Sequence, residues 1–109
     1  MKEHKINLKK VVCNNFFSKM LGIMFRKKLE NSCYVFTFKK PSRVDIHSFF
    51  VFHPFDLVLL DENSRIVEIK ESFMPWRVFI PKKRAKVFIE LPAGYVKKNN
   101  LKEGIKVSL

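Results

Sequence analysis

The sequence is poor in the residues on which several kinds of functional site depend. Three glycines in 109 residues provide no glycine-rich phosphate loop or nucleophile elbow, and the two cysteines form no zinc-type pair. The longest apolar runs, 49–52 and 57–60, have the length of a strand and fall far short of the roughly 20 residues that cross a bilayer. The sequence therefore predicts no membrane span, no metal and no cofactor.

The N-terminal segment also lacks the features of an export signal. Residues 1–10 are rich in lysine, and no apolar run follows that could serve as a signal-peptide core. We therefore expect a chain that starts at Met1 and stays in the cytoplasm. In that reducing compartment Cys13 and Cys33 are expected to be buried free thiols. A cysteine nucleophile with a histidine base is less favoured, because neither cysteine lies at a helix start or beside an activating group.

The chain is rich in positive charge and in apolar residues at the same time. Lys and Arg number 22 against 10 Asp and Glu, which gives a formal net charge of +12, yet 47% of the residues are hydrophobic. A disordered basic tail would lack the apolar residues that offset the entropy cost of ordering. We therefore predict one folded domain over residues 1–109, since the chain is too short for a second core.

Strand-forming residues dominate the apolar set. There are twelve phenylalanines, and Val and Ile far outnumber the two alanines. Apolar residues at helical spacing predict a helix that starts at residue 14 or 15 and closes near Gly22, and Pro92 is placed to start a second helix through residue 99. The pattern favours a mainly β fold, a compact single-domain β-barrel or sandwich with two short helices. Strands are predicted at 6–13, 33–38, 46–52, 57–60, 65–71, 86–91 and 105–109.

Turn and break signals separate these strands. The composition of residues 61–64 suits a tight hairpin turn, and Pro41 is expected to end the strand before it. Residues 72–83 are predicted to be irregular, because Pro75 and Pro81 bracket a segment that can pair only at a sheet edge. This loop is the segment in which we first expect function.

Four sequence blocks, in order along the chain, resemble the signatures of a known family. Residues 22–29 are similar to a Gly-Leu-Met-x-Arg opening, and residues 55–61 with 65–68 resemble a Leu-Asp-hydrophobic-Asp hairpin. Residues 89–94, Ile-Glu-Leu-Pro-Ala-Gly, match a Leu-Glu-Leu-Pro-Ala-Gly block, and residues 104–107 resemble a closing Gly-Asp-x-Val without its Asp. From about residue 9 onward the chain thus resembles the uncharacterised "domain of unknown function 192" family of bacteria and archaea.

The resemblance implies more about the fold of the protein than about its function. Residues 46–51 and 74–77 look like the archaeal branch, where a bacterial Phe-Trp-Met-Lys-Asn stretch is replaced, so a site built on that stretch cannot be carried over. The family likeness implies a compact, mainly β domain with no established activity and no known cofactor.

The clearest polar cluster in an apolar setting combines His47 with two carboxylates. Asp45 and His47 are two residues apart and therefore share a strand face, and Asp56 begins the next apolar run. A carboxylate that holds an imidazole tautomer is the arrangement of a general base. A buried histidine satisfied by one carboxylate is the favoured interpretation, since no nucleophile lies nearby. A metal site of His47, His53 and an aspartate is a weaker alternative.

A second candidate site lies in the proline-bracketed loop. Trp76 and Arg77 could present a stacking face and a bidentate donor to an anionic or planar ligand. The favoured alternative is a loop anchored by a buried indole, with Arg77 paired to a carboxylate such as Glu90. Arg26 could likewise clamp a carboxylate inside the fold or face a ligand. The candidate ligand-binding set is His47, Asp45, Asp56, Trp76, Arg77, Arg26 and Glu90, and no residue is assigned a catalytic role.

Basic residues gather in three clusters that form a candidate phosphate-contacting patch. Its members are Lys27, Lys28, Lys39, Lys40, Arg43, Lys82, Lys83, Arg84 and Lys86. The plain alternative for residues 82–86 is a charged guard against aggregation at a sheet edge.

These features favour a non-catalytic binding module for an anionic partner, either nucleic acid or an acidic protein. Two alternatives remain: a small-molecule-binding protein or enzyme around His47, Asp56, Trp76 and Arg77, and a structural or accessory protein whose charge keeps a Phe-rich fold soluble.

The positive charge is unevenly distributed along the chain. Residues 1–43 carry +9, residues 44–74 carry −4 and residues 75–109 carry +7. If the fold brings the two outer segments together, a single positive face results, and a binding surface is favoured. If it separates them, the charge is better explained by solubility.

Overall fold

The computed structural model describes residues 3–13, 32–43, 46–47, 54–74 and 76–109. The predicted helix that starts at residue 14 or 15 lies outside these ranges, as do residues 48–52 of the predicted strand 46–52. The helix in the described ranges is α1 (Tyr95–Lys98). The strands are β1 (Glu3–Lys5), β2 (Lys9–Cys13), β3 (Ser32–Ser42), β4 (Ile46–His47), β5 (Phe55–Leu60), β6 (Ile66–Phe73), β7 (Val78–Phe79), β8 (Ala85–Pro92) and β9 (Lys106–Ser108).

A five-stranded sheet of order β2-β3-β8-β5-β6 forms the centre of the fold. Its middle strand, β8, pairs antiparallel with β3 and β5, and β5 and β6 form the predicted hairpin. Two further sheets, β1-β9 and β4-β7, have two strands each. The predicted mainly β fold is confirmed, and the described strands form open sheets rather than a closed barrel. Within the described ranges, no helix has the length and apolar character needed to cross a membrane.

Apolar side chains cover both faces of the central sheet. Successive side chains of a strand point to opposite faces, so β5 contributes Val58 and Leu60 to one cluster and Phe55, Leu57 and Leu59 to the other. All six residues of β5 are therefore buried. The aliphatic cluster is Ile6, Cys33, Val35, Val58, Leu60, Ile66, Ile89, Leu91, Val96, Leu101 and Val107, and the aromatic cluster is Tyr34, Phe36, Phe55, Leu57, Leu59, Phe73, Ala85 and Phe88.

Two of the strand pairs are parallel, which the alternation of residues does not reveal. β2 runs parallel to β3, and β1 runs parallel to β9. Parallel neighbours need a long connection, and residues 14–31 separate β2 from β3 along the chain. β1 and β9 pair beside the aliphatic cluster, and Ile6 and Val107 from this part of the fold belong to it.

The predicted strand 6–13 is wrong in its extent, because the chain changes sheets inside it. Ile6 is buried and donates its main-chain N–H to the carbonyl of Ser108 (3.0 Å), which ends the small sheet. The chain then enters the large sheet as β2. Of the predicted strand 6–13, residues 9–13 therefore form a strand, and β1 lies before the predicted start.

Two prolines have roles in the secondary structure that differ from those predicted. β3 continues through Pro41, because its register against β8 shifts between Thr37 and Ser42 and such a bulge accepts a residue without an N–H. Pro92 ends β8 instead of starting a helix. The helix begins after Gly94, whose left-handed φ of 89° is a conformation that favours glycine.

The predicted turn at residues 61–64 is confirmed. One side-chain oxygen of Asp61, Oδ1, accepts the main-chain N–H groups of Asn63 (2.8 Å) and Arg65 (3.0 Å). Ser64 adopts a left-handed φ of 63°. A short aspartate that binds the main chain two residues on is a common way to hold such a turn.

Candidate functional site

Asp56 lies inside the fold, and the main chain engages both of its carboxylate oxygens. It is fully buried on β5, two residues before Val58 of the aliphatic cluster. Oδ1 accepts the N–H of Ser72 in β6 (2.8 Å), and Oδ2 accepts the N–H of Val96 in α1 (2.9 Å). These bonds tie three elements together, so the contacts of Asp56 are those of a carboxylate that stabilises the fold.

The main chain of His47 lies beside the proline-bracketed loop. β4 pairs with β7, and His47 is opposite Val78, which follows Arg77. This confirms the predicted pairing of the loop segment at a sheet edge. Asp45, His53 and the side chain of His47 lie outside the described residues, so the imidazole–carboxylate pair and the metal alternative stay predictions.

Trp76 and Arg77 face solvent. The indole is 47% exposed, so the predicted burial of this ring is wrong. Trp76 also has a φ of 62°, a left-handed conformation that is rare for a bulky residue. The neighbouring side chains of Met74, Val78 and Ile80 are more than half exposed. The loop therefore exposes apolar surface, and the ligand-presenting interpretation of Trp76 and Arg77 stays a prediction.

Glu90 is the second buried carboxyl of the sheet, and its surroundings differ from those of Asp56. It lies on β8 between Tyr34 of β3 and Leu57 of β5, and its side chain is 1% exposed. Its Oε2 has no hydrogen-bond partner among the described residues. Burial raises the pKa of Glu90 well above its ordinary value, because the charged form is poorly solvated there. The predicted pair with Arg77 therefore does not supply Oε2 with a donor.

Five cations from the two outer segments lie near one end of the central sheet. Ser42 pairs with Ala85, so Arg43 and Arg84 leave the strand ladder next to each other. Lys86 Nζ donates to the carbonyl of Lys39 at 2.7 Å, which fixes β3 to β8 where the register shifts. We call Lys39, Lys40, Arg43, Arg84 and Lys86 the basic surface. All five are exposed except Lys86, which is partly buried.

The other members of the predicted patch are placed differently. Glu68 accepts the main-chain N–H groups of Lys82 (2.9 Å) and Lys83 (3.1 Å), and Lys83 Nζ lies 3.6 Å from a carboxylate oxygen of Glu103. These two lysines therefore lie beside acids rather than in the basic surface. Arg26, Lys27 and Lys28 are outside the described residues.

An open cleft lies where β1 meets the segment around α1, and the sequence did not point to it. His4 Nε2 and the hydroxyl of Tyr95 are 2.7 Å apart, and their rings contact edge to face at a centroid distance of 5.6 Å. Burial raises the pKa of Tyr95, and the nearby Cys33 adds to the effect. The cleft has a volume of about 450 Å³. In the sequence, Tyr95 follows the block that ends at Gly94, and His4 lies in a basic N-terminal segment. Neither feature predicts that the two side chains contact each other.

We expect Tyr95→Phe to lower the free energy of unfolding by about 1 kcal/mol, because it removes a partly buried hydrogen bond that spans the chain. Urea unfolding of the single variants and of the double variant with His4→Ala measures the coupling, which we expect to be about 0.5 to 1 kcal/mol. Strictly additive effects of the two substitutions would show that the hydrogen bond contributes nothing.

Cys33 is a free thiol buried in the aliphatic cluster, as predicted. Burial raises its pKa, and the positive charge of Lys10 opposes this shift. A raised pKa keeps the thiol protonated, which is unfavourable for a nucleophile. The side chain of Cys13 lies outside the described residues.

A family model matches the entire chain. It is DUF192, described as "Uncharacterized ACR, COG1430", and it covers residues 1–109. Similar curated proteins include a UPF0127 protein of Pyrococcus horikoshii, 35% identical over 87% of this chain and 76% of the relative. A UPF0127 protein of Pyrococcus abyssi is 31% identical over 88% of this chain and 81% of the relative. The archaeal resemblance predicted from the sequence is thus confirmed.

Two solved structures share the fold at low sequence identity. A "putative transcription regulator" from Sinorhizobium meliloti 1021 superposes with a TM-score of 0.83 and 20% identity over 89% of this chain and 78% of the other. A protein of unknown function from Novosphingobium aromaticivorans superposes with a TM-score of 0.82 and 16% identity. The superposition covers 89% of this chain and 71% of the other. At these identities the likeness shows the fold alone, whereas the family match extends over all 109 residues. The chain therefore belongs to the DUF192 family, whose function is not established.

Proposed function

We propose that the protein is a non-catalytic binding module and that its basic surface contacts the phosphates of a nucleic acid. The observation that carries the proposal is the contact of Lys86 Nζ with the carbonyl of Lys39 at 2.7 Å. It joins a cluster from the first basic segment to one from the last, although 47 residues separate them. This contact supports a surface to which both outer segments contribute, the condition under which the charge favours binding.

The placement of these cations disfavours the alternative explanations of their charge. Lys86 belongs to β8, the middle strand of the sheet, so it does not guard a sheet edge. Arg43 and Arg84 lie side by side where the β3–β8 ladder ends, and like charges placed opposite each other destabilise a sheet. An anion that bridges them would offset this repulsion.

Nucleic acid suits this surface better than an acidic protein. A duplex offers closely and regularly spaced phosphates, and lysines and arginines bind them by releasing condensed counterions, whatever the base sequence. The solved relative from Sinorhizobium meliloti is described as a "putative transcription regulator", which is compatible with this partner. The proposal includes the predicted cytoplasmic location, where such a partner is available.

The test is a titration of the protein with labelled RNA and DNA at several salt concentrations. We expect binding whose logarithm falls linearly with the logarithm of the salt concentration, with a slope of about −3 to −4 on duplex DNA if most of the five cations contact phosphates. The triple variant Lys39→Ala, Lys40→Ala, Arg84→Ala should reduce the magnitude of that slope by about 3, because each phosphate contact contributes about 1.

A second triple variant serves as the matched control. Lys70→Ala, Lys97→Ala, Lys102→Ala removes the same charge from exposed positions outside the basic surface. This control should bind like the unmodified chain. Equal losses in both triple variants, or binding without salt dependence, would refute the proposal. Stronger binding to polyglutamate than to nucleic acid would instead assign the surface to an acidic protein.

A further inference from the structure

We propose that the cleft between β1 and α1 binds a small phosphorylated molecule. Its walls come from both ends of the chain: His4 and Lys5 on β1, Leu8 before β2, Pro92 at the end of β8, and Tyr95 and Lys98 on α1. Its volume of about 450 Å³ lies within the range of roughly 300 to 1,000 Å³ that is usual for small-molecule sites. The proposal is independent of the basic surface.

The described residues of the lining carry charge of one sign. Lys5 of β1 and Lys98 of α1 both line the cleft and are exposed, and no aspartate or glutamate lines it in the part of the chain that the structure describes. The lining also includes the exposed amide of Asn7. Two lysines and an asparagine around one concave space supply ammonium and amide groups, the donors that a phosphate dianion needs.

A hydrogen-bonded pair gives this cleft a defined wall. The contact of His4 Nε2 with the Tyr95 hydroxyl holds β1 against α1, and the side-chain amide of Asn99 donates to the carbonyl of Tyr95 (2.9 Å). The cleft is therefore held in shape by contacts within the protein before a ligand arrives. A preformed wall reduces the ordering cost of binding.

Apolar surface lies next to the donors. Leu8, Pro92 and Ala93 line the same space, so it can accommodate an organic group beside the phosphate. The combination favours a phosphomonoester with a small organic part over inorganic phosphate, because the apolar surface adds affinity that a bare anion cannot use.

The cleft and the basic surface occupy opposite ends of β8. Pro92 is the last residue of this strand and Ala85 is the first. A strand rises about 3.4 Å per residue, so the two ends are roughly 24 Å apart. A ligand in the cleft therefore does not touch Arg84 or Lys86, and variants can test the two sites separately.

The test uses NMR titration of the full chain with three phosphomonoesters and their dephosphorylated counterparts: glycerol 3-phosphate with glycerol, ribose 5-phosphate with ribose, and adenosine monophosphate with adenosine. We expect at least one phosphorylated probe to shift the amide signals of Gly94, Tyr95 and Lys98 at millimolar concentration. The dephosphorylated probes should leave those signals in place. The double variant Lys5→Ala, Lys98→Ala should weaken binding about tenfold or more.

The control is Lys97→Ala, Lys102→Ala, which removes the same charge from exposed positions that do not line the cleft. It should keep the affinity of the unmodified chain within about twofold. The proposal is overturned if no phosphorylated probe shifts these signals, if the dephosphorylated probes shift them equally, or if both double variants weaken binding alike. The proposal is also contradicted if the triple variant Lys39→Ala, Lys40→Ala, Arg84→Ala loses binding of the phosphorylated probe while the double variant Lys5→Ala, Lys98→Ala retains it.

Discussion

Replacement of Asp56 by Ala is expected to lower the free energy of unfolding by about 4 kcal/mol. Hydrogen bonds to a charged acceptor contribute about 1.5 to 3 kcal/mol each, and Asp56 accepts two of them. The substitution also leaves the N–H groups of Ser72 and Val96 without this acceptor inside the fold. Urea unfolding monitored by Trp76 fluorescence and by circular dichroism measures the change. Asp56→Asn should lower the free energy of unfolding by an intermediate amount, because an amide offers one acceptor oxygen where the carboxylate offers two.

Asp61 provides a matched control for this experiment. It also accepts two main-chain N–H groups, but those bonds lie at the exposed turn and at the partly buried start of β6. We expect Asp61→Ala to cost about 1 kcal/mol, since water can replace the lost acceptor. Equal costs for Asp56→Ala and Asp61→Ala would contradict the structural role of burial at Asp56.

The free energy of unfolding of the native chain is expected to fall, relative to that of Glu90→Gln, as the pH rises above about 4.5. Burial raises the pKa of Glu90 in the folded state, whereas the unfolded carboxyl keeps its ordinary value. Between these two pKa values the folded chain holds a proton that the unfolded chain has released. The resulting loss is about 1.4 kcal/mol for each pH unit in that window, and it ends above the folded pKa.

Glutamine removes this proton linkage while it retains the size of the side chain. The difference between the native chain and Glu90→Gln should therefore change steadily with pH and then level off above the folded pKa of Glu90. Chemical unfolding at a series of pH values from about 4 to 9 measures it. Glu90→Met, which places no polar atom in the aromatic cluster, should be more stable than the native chain at neutral pH.

The exposed Glu71 on β6 is the control for this series. Glu71→Gln should differ from the native chain by less than about 0.5 kcal/mol throughout, as is usual for surface substitutions. A flat difference between the native chain and Glu90→Gln over the whole series would show that this carboxyl is not held protonated by burial.

The contrast between the two buried carboxyls follows from where the strands place them. Asp56 points toward the aliphatic face, where the ends of β6 and α1 present main-chain N–H groups. Glu90 lies on the aromatic face between Tyr34 and Leu57, and one of its oxygens finds no donor among the described residues. A buried carboxyl therefore stabilises the fold at Asp56, whereas at Glu90 it lowers the free energy of unfolding as the pH rises.

Much of the strand arrangement could be predicted from the sequence. The hairpin of β5 and β6 was predictable because Asp61 and its neighbours favour a turn between two apolar runs. The resemblance to the family also implied the mainly β fold, which the sheets of the structure confirm. Strand ends were less predictable, since Pro41 lies in a bulge and Pro92 at a strand end, and both depend on a neighbouring strand.

The candidate sites were less predictable, because they depend on contacts between residues far apart in the chain. The sequence grouped Trp76 and Arg77 with His47 in one candidate site, whereas the pairing of His47 with Val78 and the exposure of the indole come from the structure. Nothing in the spacing of residues indicated that Tyr95 contacts His4, which is 91 residues away.

The sequence by itself determined the net charge of +12, the segments that carry it, the strand-rich fold and the family. These properties depend on composition, local periodicity and short motifs, all of which are written along the chain. Tertiary structure alone decided whether the charge forms a surface. The pairing of Ser42 with Ala85 brings two distant basic segments together, and pairing over such a distance is set by how both sheet faces are buried. The structure thus brings cations of both outer segments to one end of β8, and the proposed binding surface rests on that placement.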